Sequence, residues 1–159
     1  AKAQKERLAE GKVAPEFSFP TPDGKKKLGP QDFKGKILVL DFWASWCGPC
    51  QAEIPHLKEA YKEYSNKGVA FFSVSIDKDD AAWRKAMKEE NMPWAQAQAP
   101  KAGKDVMKQY QFSGIPYILV LDKEGKIVAK NLRGKALTDK LEELLSGKKK
   151  SVAMPAMGM

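Results

Sequence analysis

Cysteine, histidine and long apolar runs are scarce in this sequence. It holds two cysteines and one histidine in 159 residues. Two cysteines cannot build the multiple crosslinks of a disulfide scaffold. Together with one histidine they also fall short of the four ligands of a structural zinc site. The apolar stretches, Ile37–Leu40 and Val69–Phe72 among them, are far shorter than the roughly 20 residues that cross a bilayer as a helix. No recognisable nucleic-acid reading module, and no interleaving of basic with exposed aromatic residues, accompanies the excess of 28 Lys and Arg over 20 Asp and Glu. The charge of +8 therefore reads as a solvated basic surface with some bias toward acidic partners, not a nucleic-acid site. Residues 1–11 lack the apolar centre of a signal sequence. The chain opens on Ala1, as expected of a shortened or processed product, so the missing targeting segment says nothing of location.

What is present is the composition of a globular domain, 43% hydrophobic and 30% charged. Residues 2–10 read as a short polar helix ended by Gly11, suited to be the last helix of something larger. Phe17 and Phe19 alternate with polar residues ahead of the turn signal Pro22-Asp23-Gly24, which predicts a small hairpin closing at Lys25–Leu28. Lys36–Trp43 is apolar and β-rich, the pattern of a buried strand, and Val69–Ile76 is another. Between them, Ile54, Leu57, Ala60, Tyr61 and Tyr64 recur at helical spacing over Gly48–Asn66. A second helix is expected from the caps at Asp77–Asp80 to Asn91, with Ala82, Trp83, Ala86 and Met87 inward and Pro93 as its breaker. Residues 92–112 read as a looser insert with a short helix near Lys104–Tyr110. Strands at Pro116–Leu121 and Lys126–Asn131 flank the turn Lys123-Glu124-Gly125, and Ala136–Leu145 closes the domain with Leu137, Leu141, Leu144 and Leu145 on one side. This order predicts an α/β sandwich on a mixed sheet. Three segments result: an N-terminal helix and linker over 1–14, a domain over 15–146 and a flexible tail over 147–159.

With scaffold and zinc excluded, Cys47-Gly48-Pro49-Cys50 points to redox chemistry. Cys47 falls where a strand has ended and a helix begins. Unpaired N–H groups and the helix dipole there favour its thiolate and lower its pKa. Pro49 suits the first helical turn, where its missing N–H needs no partner. Cys50, one turn on, lies on the same face within bonding reach. Cys47, at the more exposed end, would attack a substrate disulfide, and Cys50 would resolve the mixed disulfide. A Cys-x-x-Cys alone is weak evidence, since half a zinc knuckle has the same form.

The surrounding residues add specificity. The run Val39-Leu40-Asp41-Phe42-Trp43-Ala44-Ser45-Trp46-Cys47-Gly48-Pro49-Cys50, with Pro55 in the helix and Gly114-Ile115-Pro116 before an apolar strand, strongly resembles the active-site region of the thioredoxin superfamily over about residues 15–146. The lead segment Gly11–Phe17, the Gln51-Ala52-Glu53-Ile54-Pro55 that follows the cysteines, and the long insert resemble the TlpA/ResA group, relatives of the AhpC/TSA proteins. The resemblance implies a thioredoxin fold: a three-layer α/β/α sandwich with an N-terminal β-hairpin and a central insert. It implies an extracytoplasmic thiol–disulfide oxidoreductase, often tethered to a membrane and often serving cytochrome c maturation. Its partners would be disulfide-bearing client proteins and an upstream electron-donating thiol protein, with the chain acting as a monomer. No cofactor is expected beyond the Cys47–Cys50 disulfide, and no metal.

Several residues carry two readings. Asp41 matches the buried acid of the superfamily: it is either a proton acceptor for Cys50 or a hydrogen-bonded core residue. Glu53 either tunes the cysteine pair or is an ordinary exposed helix residue. Pro116 either carries a cis bond that leaves Ile115 backbone free to pair with substrate or simply starts a strand. Trp46 is expected as a partly exposed contact beside Cys47 and Trp43 as a packed residue. Gly48 and Pro49 set the pair's potential and favour a reductant, as in reducing thioredoxins. His56 is expected on the helix exterior. Met154, Met157 and Met159 are copper-type ligands, but the absence of order around them favours an unstructured tail. Three further functions compete. A peroxidase would need Pro and Thr or Ser where Leu40 and Ala44 stand; a copper-delivery protein of this fold would use Cys-x-x-x-Cys with a distant His, and the spacing of Cys47 and Cys50 is one short; a non-catalytic binding domain would have no need of both sulfurs, Asp41 and the Gly-Ile-Pro loop.

Overall fold

A computed structural model describes residues 10–146; the helix expected over 2–10 and the tail beyond 146 lie outside the described residues. The sheet order is β5 (Ala95–Gln98), β4 (Val69–Ser75), β3 (Ile37–Trp43), β6 (Tyr117–Leu121) and β7 (Ile127–Lys130), and its centre follows from the sequence. β3 (Ile37–Trp43) is buried at every position. It pairs in parallel with β4 (Val69–Ser75) and antiparallel with β6 (Tyr117–Leu121). Continuous apolar composition suits a strand covered on both faces. β7 (Ile127–Lys130) continues the sheet antiparallel to β6 across the turn at Asp122–Gly125. There Asp122 accepts from the N–H groups of Glu124 and Lys126, each at 2.9 Å.

On one face pack α1 (Gly48–Tyr64), α2 (Asp80–Glu90) and α4 (Lys135–Ser146). α1 buries Cys50, Glu53, Ile54, Leu57, Ala60 and Tyr64, the spacing of one helical stripe. α2 buries Trp83 and Ala86 under an Asp79 cap that accepts from Ala81 N–H at 2.9 Å. Leu137 and Leu141 are the buried leucines of α4, whereas Leu145 is exposed. The other face carries α3 (Lys104–Gln109) and the expected hairpin, reduced to β1 (Phe19–Pro20) paired with β2 (Lys27–Leu28). Phe17, Phe42, Phe72 and Tyr110 form the aromatic centre of that layer. The result is the α/β/α sandwich of the thioredoxin fold.

The region 92–112 is more regular than its sequence indicates. Ala95–Gln98 forms β5, parallel to β4 with Phe72 opposite Ala95 and Ser75 opposite Gln98. Alanine and glutamine are poor strand formers; pairing to β4 and burial of Gln96 and Ala97 override that preference. Before α3 the backbone coils through positive φ at Lys101, Ala102 and Gly103. Gly103 is required there, because a Cβ would fall 2.4 Å from Ile76 Cγ2.

The segment read as a linker also joins the sheet at its end. Gly11 N–H donates to Ile127 O at 2.7 Å, Ile127 N–H to Lys12 O at 2.8 Å and Ala14 N–H to Gly125 O at 2.9 Å. Ala14 is buried in the aromatic layer.

Candidate active site

β3 delivers its last residues to the sheet edge, and the chain turns there into α1. Cys47 is the N-cap of α1, in extended conformation, with Pro49 in the first turn. Its sulfur accepts from the backbone N–H of Cys50 at 3.1 Å, so a free helix-end donor points at the atom that bears negative charge when reduced. Cys47 and Cys50 are joined as a disulfide, their Cα atoms 5.2 Å apart. The contrast in exposure is slight: Cys47 is 4% exposed and Cys50 2%. What stands exposed is Trp46, at 67%, whereas Trp43 is fully buried.

The Ile115–Pro116 peptide bond is cis, and Ile115 O lies 3.7 Å from Cys47 Sγ. A disulfide sulfur carries no proton, so this is a contact; a reduced Cys47 thiol has an acceptor in place. The loop 113–116 thus stands directly across from the attacking sulfur, while Phe42 and Tyr117 are partners in the adjoining β3–β6 ladder.

Asp41 is buried in the middle of β3. Ser73 Oγ donates to Asp41 Oδ2 at 2.8 Å, and Trp94 Nε1 donates to Ser73 Oγ at 2.7 Å. Burial pushes its pKa up to about 7, the Ser73 hydrogen bond opposes the rise and the negative charge of Glu53 adds to it. Glu53 is itself buried, and its Oε2 accepts the backbone N–H of Gly134 at 2.6 Å. The exposed-residue reading of Glu53 does not match this placement. His56 is exposed on α1, away from the buried stripe.

Comparison with known proteins matches this arrangement to a family. The Redoxin family model matches residues 9–145. The chain belongs to the Redoxin family. The thiol-disulfide oxidoreductase ResA of Bacillus cereus is 34% identical over 143 residues, covering 90% of this chain and 80% of the relative. ResA of Bacillus subtilis is 31% identical over 126 residues, covering 79% and 69%. Among solved structures, the thioredoxin domain of a thiol-disulfide oxidoreductase from Bacteroides vulgatus superposes with a TM-score of 0.82 at 38% identity, covering 87% of this chain and 99% of that one. A thiol:disulfide interchange protein from a Bacteroides species gives 0.81 at 38% identity, with 91% and 95% covered. This redoxin is a ResA-like thiol-disulfide oxidoreductase with Cys47 and Cys50 as its Cys-x-x-Cys pair.

Two groups in this redoxin escaped the sequence reading. Asp77, just past the end of β4, is a third buried carboxylate. It accepts from Ser45 N–H at 3.0 and 3.1 Å, from Ser45 Oγ, and from Ser75 Oγ at 2.6 Å. Gln51 Nε2 donates to Ser45 O at 2.7 Å, so the loop Ala44–Cys47 is held from both sides. An acid two residues past a buried strand was the available signal, as an acid within the buried strand β3 is for Asp41. The second group is Arg133 and Gly134 in the β7–α4 loop. Arg133 Nη2 donates to Pro116 O at 3.3 Å, beside the Gly134 contact to Glu53. No local pattern marks them; their importance comes from the strands that bring the loop to the site. Among the described residues no group of His, Cys, Asp and Glu is arranged to hold a metal ion.

Proposed function

We propose that this domain works as a reductant of protein disulfides outside the cytoplasm, with Cys47 as nucleophile and Cys50 as resolving thiol. The observation that carries the reading is Cys47 Sγ at the start of α1, with Cys50 N–H aimed at it from 3.1 Å and the Ile115 backbone across from it. The Cys47 thiolate attacks one sulfur of a client disulfide, forming a mixed disulfide and releasing the other client sulfur as a thiolate. Cys50 then loses its proton to the Asp41 carboxylate and attacks Cys47 Sγ. The Cys47–Cys50 bond forms, the second client sulfur leaves, and the two client thiolates take up two protons. The client gains two electrons and the domain loses them. An upstream thiol protein restores the dithiol by the reverse exchange.

Ile115 and Pro116, with Trp46, form the client contact, and Gly48 and Pro49 set the potential between the sulfurs. Glu53 acts on the pair through its charge beside Asp41. The extracytoplasmic location, a membrane tether outside the domain and service to cytochrome c maturation rest on likeness to the TlpA/ResA group. Among the described residues no helix is long and apolar enough to cross a membrane. Redox titration against dithiothreitol tests the direction. A potential near that of reducing thioredoxins, about −270 mV, supports it; one near the about −120 mV of strong oxidants overturns it. Cys47→Ser must abolish insulin reduction.

A further inference from the structure

We propose that Arg133 makes this site prefer clients with an acidic side chain close to the reacting disulfide. The inference deepens the reductase reading and rests on it. β6 runs antiparallel to β3 and β7 antiparallel to β6, so the end of β7 and the loop after it return to the sheet edge that carries Cys47. There the loop is fixed twice. Gly134 N–H donates to Glu53 at 2.6 Å and Arg133 Nη2 to Pro116 O at 3.3 Å. With Ile115 O 3.7 Å from Cys47 Sγ and the two carbonyls on adjacent residues, the guanidinium lies within about 12 Å of the attacking sulfur.

The exposed charge around it has one sign; the acid at this flank, Glu53, is buried and its carboxylate is held by Gly134 N–H at 2.6 Å. Residues 112–116 and 130–135, which form this flank, contain Lys130, Arg133 and Lys135 and no acid. The first turn of α1 adds none. Lys135 is engaged by Asp139 at 2.9 Å, while Arg133 is exposed and forms no ion pair among the described residues. The acids at the opposite flank are occupied: Asp79 caps α2, and Asp80 pairs with Arg84 at 2.7 Å. Arg133 commits one N–H to Pro116 O, and a guanidinium has five, set in a planar fork that matches a carboxylate. A client segment lying extended along Ile115 places side chains on one face about 7 Å apart. An Asp or Glu one or two residues from the client cysteine then reaches the fork. The net charge of +8 steers the same clients from a distance.

The test uses three disulfide peptides that differ only in the residue flanking cysteine, Asp, Asn or Lys, and the full chain as reductant. Wild type is expected to reduce the Asp peptide about three- to fivefold faster than the Asn peptide at low salt, and the Lys peptide more slowly. Arg133→Gln is expected to bring the Asp-to-Asn ratio close to one, and Arg133→Glu to invert it. Lys62→Gln, about 20 Å away at the far end of α1, removes the same net charge and keeps the wild-type ratio. If Arg133→Gln and Lys62→Gln change the ratio equally, the overall field sets it and the proposal is overturned. Equal rates for all three peptides with wild type overturn the preference alone. A wild type that reduces none of them overturns the reductase reading and this one together.

Discussion

Replacing Asp41 with asparagine removes a charge from the centre of β3 and keeps the shape of the side chain and an acceptor for Ser73 Oγ. In the unfolded chain the carboxyl titrates near 3.8, and in the folded protein burial lifts this to about 7. Below pH 4 the group is protonated in both states, so it adds no pH dependence. Between pH 4 and pH 7 the unfolded chain releases a proton that the folded one keeps, and stability falls as pH rises. Above pH 7 the loss is complete. A shift of about 3 units corresponds to about 4 kcal/mol on the scale of 1.4 kcal/mol per unit. The asparagine amide leaves a buried donor unpaired, which costs about 1 to 3 kcal/mol. Asp41→Asn is therefore expected to gain about 1 to 3 kcal/mol over wild type at pH 8 and to be the less stable of the two at pH 4. Urea denaturation of the oxidised protein at pH 4, 5.5 and 8 measures this directly, since the disulfide keeps both sulfurs from titrating. Parallel pH profiles for the two proteins would refute the reasoning. The same substitution is expected to slow disulfide exchange at pH 7 by at least tenfold, because Cys50 loses its proton acceptor.

Three further outcomes are expected. Glu53→Gln retains an acceptor for Gly134 N–H but removes the charge that helps raise Asp41, so the Asp41 midpoint followed by NMR moves down; an upward move contradicts the electrostatic link. Asp77→Ala strips Ser45 and Ser75 of their acceptor and should destabilise the fold by about 2 to 4 kcal/mol. It should also slow Cys47 alkylation at neutral pH as the loop loosens, and denaturation with a pH series of iodoacetamide rates checks both. Cys50→Ser is expected to accumulate a Cys47-linked mixed disulfide with clients, visible by non-reducing electrophoresis; rapid turnover in that variant contradicts the division of roles.

The parts of the fold legible in the sequence are those in which local preference and burial agree. Ile37–Trp43, Val69–Ser75 and Tyr117–Leu121 are apolar runs that lie at the middle of the sheet, and the stripe on α1 has one period throughout. β5 was not legible because the alternation in Ala95-Gln96-Ala97-Gln98 is short and carried by alanine, a poor strand former; β4 supplies the reason for its extension. The cysteine pair follows from two residues three apart at a strand-to-helix turn. The burial of Glu53 does not, since its partner Gly134 lies 81 residues along the chain. Arg133 meets Pro116 through the antiparallel pair β6 and β7 rather than through any motif. Asp77 reads locally as a helix-start residue, and its hold on Ser45 emerges only when β4 is set beside β3.

The strip Gly11–Ala14 has a practical bearing on how the domain should be cut for expression. A version begun at residue 15, the border suggested by family resemblance, would uncover the Ile127 peptide group and the pocket that the Ala14 methyl fills. The outermost strand would then present raw amide and carbonyl groups to neighbouring molecules, an invitation to stick edge to edge. Beginning the clone a few codons earlier keeps that seam closed.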